Sequence, residues 1–507
     1  MLRDRYFAAA MIGTAALLLV TLLLPLGFDN DVYQSMAWTL FAYRGLPYVA
    51  SWDMNFPGIV FVHWGSMALF GSSDFGFRLF DYLAHLFLAG LFFQVSRRWL
   101  RPVESLTAVL LYAIYYASGL WGLLGQRDEY AIIFLLGALF AYFQTGSRAS
   151  RMWIVFTGVC TGLAIMIRPT YSLFAISFAW LNWDSSAGRK NVLLYSFGNC
   201  LPWLALVITY ALHNGDLLQL YHSIIRFNLD YYSAIKVPVA LFTGGRGIVY
   251  AFAAIGLALI AVGKYRGVLQ VNPESTSDLR LLVAMGLCSL LSPVIMGKYF
   301  SYHFAPLMLM AVAFASVGLH RGLDFIRFSG PRIAMIMLAL GLYTAAFYPR
   351  HLLRYWFESL DTNNPLETVY ERVLSDKQYG LQAQRCVIDY VDRKSRPDQP
   401  IECVSFFPSL RWRIARPEAS QFTTPIPLAA FGKVTPDYIL EWRREFIESL
   451  KVIKPRFVII SQSHEWWPFV NNFADSAVYA IPGLDSLLKA QYFRDTTIGG
   501  FGIYRKT

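Results

Sequence analysis

The chain has 507 residues, of which 56% are hydrophobic and 15% are charged, and its formal net charge is +11. Soluble globular proteins have about 25% charged residues, so the composition excludes an ordinary soluble protein and indicates a polytopic membrane protein. The basic residues cluster in short breaks between apolar runs, as expected of cytoplasmic loops. This distribution argues against nucleic acid as a partner.

The first apolar run, residues 7–26, carries no charge and is long enough to cross a bilayer. Arg3 and Arg5 precede it, which predicts a cytoplasmic N-terminus and an exit near Gly27 on the outer face. No small-residue cleavage site ends the run, so we interpret it as a retained span and not as a cleaved signal peptide.

Residues 29–74 are predicted to form an external loop, because they are too rich in Pro, Gly and Asp for a simple crossing. Apolar residues recur at helical spacing between Val32 and Phe41, and Arg44-Gly45-Leu46-Pro47 should end that helix. We expect it to lie along the membrane surface. The apolar run 59–70 is short for a crossing and should pack at the interface.

The remaining apolar runs predict about eleven spans in all, with the N-terminus inside and the C-terminus outside. One long run is expected to break at Arg168-Pro169 into two short spans, with Arg168 at the outer face. The second and third spans are predicted at about 75–95 and 105–123, and a fourth returns to Arg148. The broken run covers 152–183. The later spans are one that ends near His213, one from Val239 to Val262, one that surfaces at Gly297, one that returns to Arg321, and a last one at 333–348.

The composition changes from Pro349 onward, where the apolar runs shorten and charges increase. Residues 456–460 and 501–504 have the pattern of strands, and residues 438–452 that of an amphipathic helix. We therefore expect residues 1–349 to be a transmembrane domain and residues 350–507 an extracytoplasmic α/β domain.

The five cysteines show no metal-ligand spacing. Three of them lie in apolar runs and should be core residues. Cys386 and Cys403 could form a disulfide in an oxidising compartment.

Ionisable and polar residues gather at the predicted outer face, each within a few residues of the end of a span. Such residues are costly at membrane depth and tend to be functional. Acids and bases together suit an anionic lipid phosphate and a reaction that needs a carboxylate base. The residues are Asp29, Asp31, Asp53, Asn55, Arg127, Asp128, Glu129, Arg168, Lys298 and His303.

Structural roles compete with these functional ones. Asp31, with Gln34 three residues later, matches a helix capping box, and Asp128 and Glu129 would be favoured by the helix dipole alone. Arg168 and Lys298 could anchor to lipid headgroups, and His303 could be a buried packing residue.

Short motifs in this order resemble the GT-C glycosyltransferases, in particular the group of dolichyl-phosphate-mannose protein mannosyltransferases and the lipid A aminoarabinose transferase. Asp29-x-x-x-Tyr33 and the Arg44–Tyr48 and Trp52–Gly58 segments are similar to the first external loop of that family. The Gly162–Pro169 segment and the trio Lys298, Tyr302 and Pro306 resemble two later family motifs.

The resemblance implies a GT-C-like fold and transfer of a sugar from a polyprenyl-phosphate donor, with inversion, to a glycan, lipid or protein acceptor outside the membrane. It implies that Asp29 is the catalytic base and that Asp128 is a second catalytic acidic residue. Arg127, Arg168 and Lys298 would then bind the donor phosphate. The further candidates for substrate or metal binding are Asp31, Glu129, Tyr33, Asp53, Asn55 and His303.

Two departures from the family matter for the site. Many members have Asp-Glu where this chain has Asp29-Asn30, and a Lys where it has Asn55. If a divalent cation binds, Asp29, Asp31 and Asp128 are the oxygen ligands to test, and they would suit Mg²⁺, Mn²⁺ or Ca²⁺.

The favoured location is a bacterial inner membrane. The alternative function is a lipid or polysaccharide transporter or flippase, or a non-catalytic partner of a cell-envelope assembly machine. Coupled transport would need ionisable residues at mid-depth, whereas those identified in the sequence lie at the ends of spans.

Overall fold

The computed structural model describes residues 4–119, 124–145, 150–184, 188–234, 276–322, 350–375, 381–405, 408–428, 435–461 and 481–507, and the isolated positions 330, 335, 338 and 341. The side chains of Phe28 and Asp29 are outside this description. The span predicted at 239–262 lies outside the described residues, as does the one at 333–348 apart from three isolated helical positions.

The described residues form two compact units, each built from three segments of the chain. Unit 1 consists of Met1–Leu24, Arg78–Leu206 and Val237–Leu360, and unit 2 consists of Pro25–Phe77, Val207–Lys236 and Asp361–Thr507. The boundary predicted at residue 349 assigned 25–77 and 207–236 to the transmembrane part, whereas both segments pack with residues 361–507.

The part of the chain that precedes residue 323 is helical throughout its described elements, and the helix Asp74–Ser96 and the break at Arg168 follow the predictions. Its helices are α1 (Arg5–Leu18), α2 (Phe28–Tyr43), α3 (Pro57–Phe70), α4 (Asp74–Ser96), α5 (Pro102–Ser118), α6 (Arg127–Phe143), α7 (Ser150–Ile167), α8 (Ser172–Trp183), α9 (Gly188–Leu212), α10 (Leu217–Tyr221), α11 (Phe227–Asp230), α12 (Thr276–Met296) and α13 (Ala305–Gly322). A π-helical turn, His222–Arg226, joins α10 to α11, and short 3₁₀ turns cover Leu19–Leu23, Pro169–Tyr171, Tyr232–Ala234 and Ser301–Phe304.

Within the described ranges, four helical stretches are long and apolar enough to cross a membrane: Arg5–Leu23, Asp74–Ser96, Gly188–Leu212 and Tyr302–Arg321. Three shorter apolar helices are Pro57–Phe70, Arg151–Ile167 and Arg280–Met296. Large apolar side chains such as Ile12, Phe87 and Leu193 are more than half exposed on these helices, which suits a lipid environment. The prediction of a polytopic helical membrane protein is confirmed, and the count of eleven spans stays a prediction.

Glycines let α7 and α9 approach closely within unit 1. A Cβ at Gly158 would lie 2.2 Å from the Tyr195 carbonyl oxygen, and one at Gly198 would lie 2.1 Å from the Val155 carbonyl oxygen. Small residues permit this backbone contact between membrane helices. The packing fixes the course of α7, which leads directly into Arg168.

The C-terminal part of unit 2 contains a four-stranded sheet with strand order β1-β2-β4-β3. β1 is parallel to β2, and β4 is antiparallel to both β2 and β3. The elements from residue 350 onward are α14 (Arg350–Ser359), α15 (Pro365–Ser375), α16 (Leu381–Lys394), β1 (Ile401–Val404), α17 (Ser409–Ile414), α18 (Asp437–Ile453), β2 (Phe457–Ser461), α19 (Leu484–Gln491), β3 (Tyr492–Ile498) and β4 (Phe501–Lys506).

The strands and helix predicted here are confirmed, and β2 is buried on both faces of the sheet. Phe457 and Ile459 join one apolar cluster with residues of α16, whereas Val458 and Ile460 join another with residues of α18. The alternation follows from the two-residue period of a strand.

The disulfide considered between Cys386 and Cys403 is not formed. Cys403 lies in β1 and is buried in the cluster with Phe457 and Ile459, whereas Cys386 is exposed on α16. Burial in this apolar cluster raises the pKa of the Cys403 thiol, which disfavours the reactive thiolate.

The loop between α2 and α3 is part of the apolar core of unit 2. Trp52 is fully buried, with its ring centroid 5.1 Å from that of Phe227 and 5.4 Å from that of Trp442. Its backbone N–H donates to the Gln421 carbonyl at 2.6 Å, and it forms a parallel bridge with Phe422.

Replacing this indole should destabilise unit 2. We expect Trp52→Ala to lower the free energy of unfolding by about 3–5 kcal/mol, because a large core side chain is lost and a cavity remains. Thermal unfolding of the purified protein in detergent measures the effect. The control is Trp64→Ala on α3, where the side chain is 36% exposed. Equal loss in both variants would contradict a special role for Trp52.

Candidate functional site

The helical break at Arg168 forms as the sequence predicts. α7 ends at Ile167, Arg168 has an extended backbone, and Pro169 begins a 3₁₀ turn that leads into α8. Proline disfavours a helical conformation of the preceding residue and is well suited to the first position of a new helical turn. The Arg168 side chain is buried, with 3% of its surface exposed.

Arg168 meets a buried carboxylate in the first turn of α6. Its Nε atom lies 3.2 Å from Oδ1 of Asp128, and Nε of Arg127 lies 3.9 Å from Oδ2. The Tyr171 hydroxyl donates to Oδ1 at 3.4 Å. The N-terminus of a helix also favours an acid at this position. Asp128 is therefore surrounded by cations and by one hydroxyl donor.

Lys298 and His303 lie close to the same pair of arginines. Lys298 follows the end of α12 and is 4% exposed, and Nδ1 of His303 is 2.7 Å from the Lys298 carbonyl oxygen. Since a carbonyl only accepts, Nδ1 carries the proton and Nε2 is an acceptor. Arg127, Arg168 and Lys298 all lie within electrostatic range of His303. We call these three basic residues the cation cluster.

An apolar cavity of about 120 Å³ lies in unit 1, as the cation cluster does. Ile132 lines it four residues beyond Asp128 on α6, and Pro306 lines it three residues beyond His303. It continues along α4 to Trp99 and Leu100. At 1.5 Å per helical residue, Ile132 is about 6 Å farther along the axis of α6 than Asp128. The first turn of α6 therefore carries part of the charged group, and its next turn lines the apolar cavity.

A second buried network lies on α4 and was missed in the sequence. Asp81 accepts hydrogen bonds from the hydroxyls of Tyr116 and Tyr130 at 2.8–2.9 Å and lies 3.6 Å from Arg78 and 3.3 Å from His85. The expectation that ionisable residues lie only at the ends of spans is therefore wrong for α4. Their spacing of three and four residues on one helix face was the available signal.

This network supports the turn that leads into α6. The Gly125 N–H donates to the Tyr116 hydroxyl at 2.7 Å, and Tyr130 follows Glu129 directly. Glu129, a predicted substrate or metal residue, accepts a hydrogen bond from the Tyr112 hydroxyl at 2.5 Å. These hydrogen bonds therefore fix residues just before Arg127 and just after Asp128 in the sequence.

The acidic residues of the external loop lie in unit 2. α2 begins after Gly27, its N-cap, so Asp31 is inside the helix and its backbone N–H already bonds to the Gly27 carbonyl at 3.0 Å. The predicted capping box at Asp31 is therefore wrong. Gln34, its supposed partner, instead contacts Nδ1 of His63 at 2.7 Å. The predicted end of the helix is confirmed, since Arg44 takes the left-handed conformation.

Asp31 is buried beside a second carboxylate and an arginine. Oδ1 of Asp31 lies 4.0 Å from Nη2 of Arg413, which also binds Asp74. Burial raises the pKa of Asp31 to about 8, Arg413 lowers it and Asp74 raises it. The carboxyl is therefore mainly protonated at neutral pH. Asp29 lies in the first turn of the same helix.

The remaining predicted residues of the loop have structural contacts in unit 2. Oδ2 of Asp53 accepts from the backbone N–H of Asn55 at 3.1 Å and from its side-chain amide at 2.7 Å. Tyr33 is buried and its ring packs edge-on against His63 at 5.5 Å. These contacts fix the loop between α2 and α3 and the packing of α2 on α3.

No group of three or more His, Cys, Asp or Glu side chains that could hold a metal ion occurs in the described part of the chain. Asp128 is engaged by Arg168 and Asp31 lies near Arg413. A cation bound by either carboxylate would therefore compete with a guanidinium group, and the ligand set of Asp29, Asp31 and Asp128 stays a prediction.

Comparison with known proteins gives a family match over part of the chain. Residues 55–212 match the model of the dolichyl-phosphate-mannose-protein mannosyltransferase family. A sequence comparison with curated proteins found no significant match.

Solved structures share the fold over almost the whole chain. ArnT from Cupriavidus metallidurans, solved with undecaprenyl phosphate, superposes with a TM-score of 0.59 at 12% identity and covers 98% of this chain and 97% of its own. The apo structure of the same ArnT superposes with a TM-score of 0.58 at 13% identity, and the match covers 98% of this chain and 96% of that of ArnT. The oligosaccharyltransferase AglB from Archaeoglobus fulgidus, solved with an inhibitory peptide and a dolichol-phosphate, gives 0.53 at 14% identity and covers 100% of this chain and 74% of its own.

The predicted resemblance is therefore confirmed: residues 55–212 are similar to the dolichyl-phosphate-mannose-protein mannosyltransferases, and the chain has the fold of the GT-C glycosyltransferases ArnT and AglB.

Proposed function

We propose that this protein is a membrane glycosyltransferase that moves a sugar from a polyprenyl-phosphate donor to a glycan, lipid or protein acceptor outside the membrane. The observation that carries this proposal is that α6 contributes both to the buried cation cluster and to the apolar cavity. A polyprenyl phosphate has the matching chemistry, because it joins an anionic headgroup to a long apolar chain. The likeness to ArnT, which was solved with undecaprenyl phosphate, supports the same class of donor.

The cation cluster would act on the leaving group. Breaking the bond between the sugar and the phosphate leaves the electron pair on a phosphate oxygen, and Arg127, Arg168 and Lys298 would stabilise the charge that develops there. Fixed cations at a developing charge are among the larger contributions to catalysis. Burial strengthens them, since little water screens the interaction.

The proposed catalytic base is Asp29. It would remove the proton from the acceptor hydroxyl, whose oxygen then attacks the anomeric carbon from the side opposite the phosphate, so the configuration inverts. Asp31 is less suited to this role, because its pKa of about 8 keeps it protonated at neutral pH. A protonated Asp31 would instead donate a hydrogen bond. Asp128, engaged by Arg168, would orient the cation cluster.

The proposed topology follows the charge pattern of the sequence. The N-terminus would be cytoplasmic, about eleven spans would cross a bacterial inner membrane, and residues 350–507 would form an extracytoplasmic α/β domain. The sheet flanked by α16 and α18 supports the α/β character of that domain.

The ionisable residues within α4 do not require a transport pathway. Asp81 has two tyrosine donors, an arginine and a histidine as neighbours, and His85 stacks on Tyr116 with ring centroids 3.7 Å apart. Buried charges that satisfy one another in this way are a recognised structural arrangement. Glycosyl transfer therefore accounts for more of the site than transport does.

A panel of radiolabelled polyprenyl-phosphate sugars tests the proposed function. The wild-type protein, reconstituted in liposomes with a membrane extract as the source of acceptors, should move label from one donor into an acceptor. The product should have the inverted anomeric configuration by NMR. Movement of an intact donor across the bilayer without transfer, or retention of configuration, would contradict the proposal.

A further inference from the structure

An arginine of α17 binds the acidic residues at both ends of the external loop. Nη1 and Nη2 of Arg413 lie 2.6 and 2.8 Å from the two carboxylate oxygens of Asp74, which is a bidentate ion pair. Nη2 also lies 4.0 Å from Oδ1 of Asp31. Arg413 stacks on its neighbour Trp412 at 4.4 Å, which restrains the guanidinium plane. We call Arg413, Asp74 and Asp31 the arginine clamp.

Further hydrogen bonds connect the arginine clamp to the start of α2. Oδ1 of Asp74 accepts from the backbone N–H of Leu26 at 2.9 Å, one residue before the helix N-cap. Two turns into α2, the Ser35 hydroxyl donates to the Pro408 carbonyl at 2.6 Å, directly before α17. The first turn of α2, which carries Asp29, therefore lies between two fixed points, Leu26 before it and Ser35 after it.

We propose that Arg413 is a positioning residue that fixes the first turn of α2, and with it Asp29 and Asp31, through its ion pair with Asp74. The inference rests on the proposed function, because Asp29 is the base proposed there. It gives the C-terminal part of the chain a defined role in the reaction: it supplies the group that holds the acidic turn. Bidentate arginine–carboxylate pairs suit this task, since they fix orientation as well as distance.

The arginine clamp also predicts a pH dependence. Among the described residues, the charged groups that act on Asp31 are Arg413 on α17 and Asp74 at the start of α4. Of the other titratable groups on α17 and α3, Arg411 pairs with Glu402 and Glu418, and His63 contacts Gln34 instead of Asp31. Ionisation of Asp31 near pH 8 places a second negative charge beside Asp74. Removing Arg413 should move this ionisation to higher pH, because the cation favours the charged form of Asp31.

Two measurements on the full-length protein test the proposal, one of which does not depend on activity. Hydrogen–deuterium exchange of the backbone amides of residues 24–33 should be faster in Arg413→Gln than in wild type. We expect ionisation of Asp31 to give a transition near pH 8 in the rate of sugar transfer. That transition should move upward by about 1 unit in Arg413→Gln and disappear in Asp31→Asn. Arg413→Lys, which keeps the charge, should restore the pH midpoint.

The matched control is Arg416→Gln, because Arg416 lies three residues farther along and pairs with Asp392 at 2.8 Å. It should match wild type in both measurements. Unchanged exchange and an unchanged pH midpoint in Arg413→Gln would overturn the positioning role. An absence of transfer by the wild-type protein with every donor would reject the proposed function, while the exchange experiment would still test whether Arg413 holds the turn.

Discussion

Asp29→Asn is expected to slow sugar transfer by about 10²–10⁴-fold, the usual contribution of a positioned general base. Asparagine has nearly the shape of aspartate but cannot accept a proton at neutral pH. The acceptor hydroxyl would then attack without prior deprotonation. Initial rates with a labelled donor in membranes measure this loss, and binding of the donor should change little because the phosphate is assigned to the cation cluster.

Asp31→Asn is the matched control for this result, since both acids lie in the first two turns of α2. With a pKa of about 8, Asp31 is already neutral at pH 7, and its amide analogue should keep most of the activity there. Full activity in Asp29→Asn would refute the base assignment. Loss in Asp31→Asn alone would transfer that role to Asp31.

Arg168→Ala is expected to lower kcat/KM for the lipid donor by about 10²–10³-fold, comparable to the loss of one donor from an oxyanion site. The arginine is buried and lies 3.2 Å from Asp128, so it combines charge with a fixed direction. Initial rates over a range of donor concentrations measure the effect. A loss confined to acceptor use would contradict the assignment to the donor phosphate.

Arg168→Ala also removes the cation nearest to the buried carboxylate of Asp128. Loss of one partner of a buried ion pair lowers the free energy of unfolding by about 3–5 kcal/mol. The double variant Arg168→Met/Asp128→Asn removes both charges and should fold better while it stays impaired in donor use. Arg321→Ala is the matched control, because Arg321 binds the buried Glu104 at 3.0 Å and lies outside the proposed site. It should affect stability without changing the donor concentration for half-maximal rate.

The parts of the fold that could be predicted from the sequence are those determined by neighbouring residues. The end of α2 at Arg44 and the break at Arg168 depend on neighbouring Gly and Pro residues, so both could be located. The helix at 437–453 and the strand at 457–461 follow from the spacing of apolar residues. The start of α2 was misplaced because a capping box is a weak pattern, and Gly27 lacks the side chain that marks most N-caps.

Long-range pairs were not accessible from the sequence. Arg413 and Asp74 are 339 residues apart. In the sequence, the residues around Arg413 do not distinguish it from the other arginines of the C-terminal part. The Asp81 network was overlooked for a different reason: an apolar run was read as a uniform span, and Arg78, Asp81 and His85 within it were not placed on one helix face. The cation cluster, by contrast, was predictable, because each of its members lies beside a helix end.

Because Trp52 is buried among C-terminal residues, its packing has to wait for a late stage of translation. The Thr423 hydroxyl donates to the Trp52 carbonyl across 371 residues of chain. At about 5–20 residues per second, a ribosome needs roughly 20 to 75 s to produce Thr423 after Trp52. During that time, the loop around Trp52 lacks its C-terminal packing partners. The nascent chain therefore contains its N-terminal helices before the region of Asp29 and Asp31 is fully packed. Activity would therefore begin only when synthesis is nearly complete.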